Sequence, residues 1–140
     1  MKYKRSGESI VVRLDEDEKI IESLTRICFE EKVTAGAIVS AVGAVKSGTL
    51  IYKRGCQGDF EEHLEIIGSG NISSIDGKVK IHIHITGGNE KGVKAGHLVE
   101  GVVTVFCEII IQILQGFDMK RRTDSSLIKQ NVLNPYVLEP

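Results

Sequence analysis

The stretch whose reading decides the fold runs from Lys78 to Gly101: KVKIHIHITGGNEKGVKAGHLVEG. At its start, Val79, Ile81, Ile83 and Ile85 fall on one face, and Lys78, Lys80, His82, His84 and Thr86 on the other. A period of two marks a strand with one buried face and a separate polar face. Gly87-Gly88-Asn89 is expected to end that strand. Just upstream, Asp76-Gly77 is the strongest turn signal in the chain, because both central positions of a type I′ hairpin need positive φ. The turn predicts a hairpin that pairs this strand with one at Asn71 to Ile75.

Outward from the hairpin, most of the chain also reads as strand. Val102 to Leu114 places Val103, Val105, Cys107, Ile109, Ile111 and Ile113 on one face. Its other face, with Thr104, Phe106, Glu108, Ile110, Gln112 and Leu114, is half apolar. Such a strand often lies between a core and a subunit contact, so Glu108 either pairs in an interface or lines a pocket. Ser9 to Leu14 reads as a short strand, and His63 to Ile67 as another after a glycine-rich loop. From Thr34, TAGAIVSAVGAVKSGTLIYKR alternates small and β-branched residues, with bends or bulges expected at Gly36, Gly43 and Gly48. Within DEDEKIIESLTRICFEEK, Ile20, Ile21, Leu24, Ile27 and Cys28 follow helical spacing, with Asp15 as the expected cap. One main helix packed on a largely antiparallel sheet makes an α+β fold, expected as a single domain over residues 1–140.

A hydrophobic content of 41% with 26% charged residues excludes disorder, coiled coil and collagen. A net charge of −1 gives no general attraction to nucleic acid. Two local basic clusters, Lys2-Lys4-Arg5 and Lys120-Arg121-Arg122, read as solvated surface. Cys28, Cys56 and Cys107 are widely spaced, which suggests reduced thiols and a cytoplasmic location. No signal peptide is expected, and the longest apolar run, near residues 102–114, is too short to span a bilayer. Dinucleotide, P-loop, nucleophile-elbow and zinc-finger spacings are all missing.

The histidines carry the chemistry. Two residues apart on a strand, His82 and His84 share a face, about 7 Å apart at their Cα atoms, and their rings can lean together. His97 follows Ala95-Gly96 in a small-residue turn that permits close approach. Three imidazoles with a fourth position open suit a catalytic divalent metal, zinc above all. On residue pattern alone, surface decoration of a strand competes evenly with that reading. Glu100 is the candidate acid–base group by proximity to His97, and His63, beside Glu61, Glu62 and Glu65, reads as an exposed strand residue.

IHIHI followed by AGHLVEGVVTVFCEIII resembles the PPC (plant and prokaryote conserved) domain. So do the preceding helix, SAVGAV and GDFEEHLEIIGSGNIS, over nearly the whole chain. The resemblance implies a compact α+β domain that assembles as a homotrimer. In plants that domain is joined to an AT-hook with an R-G-R-P core; MKYKR and MKRRTD lack the core, so a DNA partner has no evident agent here. The family's fold is in turn similar to part of acetolactate decarboxylase, whose zinc sits on an H-x-H pair and a later histidine. That similarity implies His82, His84 and His97 as ligands and a small oxo- or hydroxy-acid as substrate. A protein-interaction or DNA-associated module without catalysis is the alternative.

Overall fold

In the computed structural model, residues 1–139 are described. The order is β1 (Lys2–Ser6), β2 (Ser9–Asp15), α1 (Ile20–Glu30), β3 (Gly36–Lys53), β4 (Cys56–Ile75), β5 (Lys78–Asn89), β6 (Gly92–Ile113), β7 (Lys120–Thr123), α2 (Ser125–Lys129) and β8 (Tyr136–Glu139). All strands join one sheet, and every pairing is antiparallel except the β4–β7 contact. β3 pairs β4 and β6, and β5 pairs the same two, so these four close a hydrogen-bonded ring.

The hairpin forms at Asp76 (φ 49°) and Gly77 (φ 76°), which sets the β4–β5 register from Ile75↔Lys78 to Glu65↔Gly88. β4 is one strand of 20 residues rather than two short ones. Gly68 and Gly70 do not interrupt it; they let β5 pass close by. A Cβ on Gly70 would lie 2.0 Å from the His82 carbonyl oxygen, and one on Gly68 2.8 Å from that of His84. Gly96 plays the same part in β6, where a Cβ would meet the Ile51 carbonyl at 2.6 Å. β6 therefore begins at Gly92, and His97 lies inside a strand rather than in a turn.

The core is filled by α1 packed on β5 and β6, with Ile20, Leu24, Ile27, Ile83, Ile109 and Ile111 all fully buried. Two local expectations are corrected. Val105 does not join the buried face of β6: the register jumps from Gly43↔Cys107 to Ala44↔Thr104, and Val105 is extruded at φ 64° and 61% exposed. Such a φ is strained for a β-branched residue, so the sheet imposes the bulge. α1 starts at Ile20, not at Asp15, which ends β2; Glu18 instead accepts a hydrogen bond from the Asp15 N–H.

β1, β7, α2 and β8 carry no apolar period and were not anticipated. β1 is an edge strand whose Lys2, Lys4 and Arg5 are exposed, a common way to keep an edge from pairing with other chains. The outer face of the sheet exposes Val11, Val39, Val42, Ile67, Phe106 and Ile110; Val11 faces Ile110 and Val42 faces Ile67 in register. No described helix is long and apolar enough to cross a membrane.

Candidate metal centre

Ile81, Ile83 and Ile85 bury one face of β5, so His82 and His84 must emerge on the other. The β5–β6 register places His84 opposite His97, and the β4–β5 register places Asn71 opposite His82. The sheet thus brings all three histidines together. Their ring centroids lie 4.9 Å (His82–His97), 5.2 Å (His82–His84) and 5.5 Å (His84–His97) apart. One ring nitrogen from each falls within 4.8 Å of the other two. Tetrahedral ligands at 2.0–2.1 Å from an ion are about 3.3 Å apart, so the rings turn slightly inward to bind one.

Their electrostatics suit ligands. Burial, then the positive charge of Arg121, pushes the His82 pKa down to about 4. Burial, with His82 and His84 close by, does the same to His97, also to about 4. Both rings are neutral at pH 7 and hold a lone pair ready for a cation.

Two contacts escaped the sequence reading. Arg121 Nη2 donates to His82 Nδ1 at 2.9 Å, and Asn134 Nδ2 lies 2.7 Å from His97 Nε2. Both residues come from the C-terminal segment, which folds over the polar face of β5 and β6. Arg121 had been grouped with a solvated cluster, and nothing local marks Asn134. The three imidazoles fit a divalent ion, and Asn134 fits as support, since its amide can turn to accept a ring N–H. Arg121 must yield. Ligation through Nδ1 displaces it; ligation through Nε2 puts the ring proton on Nδ1, which then has no lone pair for the guanidinium.

Glu100 faces elsewhere. It shares the α1 side of β6 with Leu98, and its carboxylate accepts the Ile21 and Glu22 N–H groups at 2.8 and 3.2 Å and that of Gly101 at 2.9 Å. It therefore serves as the cap that Lys19, at the N-cap position, does not supply. Glu100→Ala is expected to cost roughly 0.5–2 kcal/mol of stability and leave metal content unchanged; thermal unfolding and elemental analysis check the two halves. Glu108 is exposed and paired in register with Arg13, and His63 is exposed with Nε2 2.8 Å from Glu65 Oε1. The second basic cluster is largely spoken for: Lys120 pairs with Asp118, Arg122 with Glu139, and Arg121 faces His82.

A family model described as the Plants and Prokaryotes Conserved (PCC) domain matches residues 1–115. The chain belongs to this family. Solved structures agree with the fold. A plant- and prokaryote-conserved protein from Pyrococcus horikoshii superposes with a TM-score of 0.81 at 25% identity, covering 99% of this chain and 94% of its own. A metal-containing protein from Archaeoglobus fulgidus gives 0.81 at 27%, covering 100% of both chains. A protein described only as a candidate DNA-binding protein, from Bacteroides thetaiotaomicron, gives 0.83 at 27%, covering 99% of this chain and 98% of its own. No curated protein sequence matches significantly. The PCC match stops at residue 115, so the matched span covers the three histidines but not Arg121 or Asn134.

Proposed function

We propose that the chain is a metal-dependent small-molecule protein whose centre is zinc held by His82, His84 and His97. The observation that carries this is the convergence of three imidazoles from two strands, two of them held neutral by their surroundings. The metal-containing relative from Archaeoglobus fulgidus supports it. Bound there, such an ion supplies Lewis acidity, which polarises a carbonyl oxygen. The chain's own residues do the rest: β5 and β6 fix the imidazoles, and the C-terminal segment shields two of them from bulk water. A small oxo- or hydroxy-acid, the class that the similarity to acetolactate decarboxylase implies, is the proposed substrate. Glu100 has no acid–base role in this proposal, because its carboxylate is engaged by the start of α1.

The working assembly in this proposal is a homotrimer. Val39, Val42, Ile67 and Ile110 form an exposed apolar surface of the kind that copies of one chain cover for each other. The three free cysteines are in keeping with a reducing, cytoplasmic setting.

Elemental analysis of untagged protein, purified without chelator, tests the metal centre. About one divalent ion per chain is expected, as a single three-histidine site requires. A metal-free protein that also fails to take up added zinc would overturn the proposal.

A further inference from the structure

Beside His82 and His97 lies a cavity of about 320 Å³, at the small end of ligand pockets. Its charge is one-sided. Lys53, Arg54, Lys80 and Arg121 line it, and no carboxylate does. Among the described residues none of these four forms an ion pair, whereas eight of the other fourteen lysines and arginines do. Concentrating like charge in a partly enclosed space is unfavourable unless something negative joins it.

Arg121 is built to receive that charge. A guanidinium has five N–H donors in a fixed plane. Nε donates to Ser73 Oγ at 2.8 Å, and Nη2 donates to Asn71 Oδ1 at 2.8 Å and to His82 Nδ1 at 2.9 Å. Ser73 is fully buried, so the anchor is rigid. The two N–H groups of Nη1 have no partner among the described residues. Lys80 also lines the cavity, with its ammonium over the Tyr136 ring at 5.4 Å. The remaining wall is apolar, from Ile51, Val132 and Leu133.

We propose that this cavity binds a small organic anion. A carboxylate or phosphate head sits on Arg121 Nη1 and Lys80, within reach of Lys53 and Arg54, and a short apolar tail lies against Ile51, Val132 and Leu133. Arg121 and the tail-facing Val132 and Leu133 all come from residues beyond the PCC match, so the C-terminal segment sets the ligand. The proposal rests on the reading of the histidine site as a small-molecule centre and names the class of molecule beside it.

The test is calorimetric titration of the full chain, stripped of metal so that no probe can bind an ion directly. The probes are butyrate, butyl phosphate and uncharged butyramide. Binding of at least one anion with no binding of butyramide is expected, and which anion wins identifies the head group. Arg121→Gln should weaken it ~10–100-fold, the range of one or two hydrogen bonds to a charged group. Because Arg121 also anchors β7, a second variant, Lys53→Ser/Arg54→Ser, alters only the exposed last residue of β3 and the exposed turn residue after it, and should weaken binding while leaving the unfolding temperature unchanged. No anion binding by the parent chain, equal binding of butyramide, or full affinity in both variants would each overturn the proposal. Metal content is read separately on the unstripped protein. A chain that binds the anion but never holds metal refutes the metal centre and keeps the anion site; the reverse result does the opposite.

Discussion

Replacing His82 and His84 together by alanine is expected to reduce metal content from about one ion per chain to none, with the fold intact. Two of the three proposed ligands are removed, and one imidazole cannot hold an ion against water at micromolar concentrations. The fold should survive because both side chains stand on the face of β5 opposite Ile81, Ile83 and Ile85, which do the packing. His84 is exposed, and His82 loses only its acceptor role toward Arg121, whose anchors on Ser73 and Asn71 remain. Elemental analysis with circular dichroism reads both halves at once. A variant that retains the parent's metal would move the ion elsewhere in the chain; a variant that unfolds would make the histidines structural. His97→Ala sharpens the assignment, since it removes the cross-strand ligand without touching β5, and should lower zinc affinity more steeply than any change at Asn134.

Much of this centre could be read from the residues, for a physical reason. Strand alternation is local: Ile81, Ile83 and Ile85 betray the face of His82 and His84 within nine residues. The Asp76-Gly77 turn, which needs two positive φ values, then fixes the register that sets Asn71 beside His82. His97 could be singled out by type but not placed, because its position depends on β6 reaching both β5 and β3, a non-local arrangement. Gly68 and Gly70 read as a break between two strands, and Ala95-Gly96 as a turn, for the same cause, although the close approach expected at Gly96 is present. A glycine that breaks a strand and one that admits a neighbouring backbone are identical in sequence, and only the neighbour tells them apart. Val105 was misplaced because strict alternation has no means to count a bulge. Arg121 and Asn134 were out of reach altogether: Arg121 sits in the short β7 and Asn134 in the loop between α2 and β8, neither with apolar periodicity, and long-range contacts alone carry them over the histidines.

Gly70→Ala is expected to be one of the most damaging glycine substitutions in the chain. Alanine ordinarily costs little in a strand, and the φ of Gly70 is not in the left-handed region, so backbone strain is not the cause. The damage comes from space. The added methyl would stand 2.0 Å from the His82 carbonyl oxygen and 2.7 Å from the Ile83 Cα. Both are main-chain atoms of β5, so no rotamer change relieves the contact, and β5 must move away from β4. That movement breaks the Gly70↔Ile83 and Asn71↔His82 pairings and lifts the fully buried Ile83 from the core. Overpacking a core commonly costs about 1–3 kcal/mol, and a contact with backbone on a central strand pair should exceed about 3 kcal/mol, a large share of the roughly 5–15 kcal/mol that holds a domain folded. Denaturant unfolding measures the loss. Because β5 carries two of the three histidines, zinc affinity should fall with stability in this variant, whereas in His82→Ala/His84→Ala it falls alone. Gly77→Ala makes the contrast: its φ of 76° is strained for alanine but nothing stands within 4 Å, so it should cost only about 1 kcal/mol. If Gly70→Ala proved no worse than Gly77→Ala, the close passage of β5 over β4 would be wrong, and with it the register that gathers the histidines.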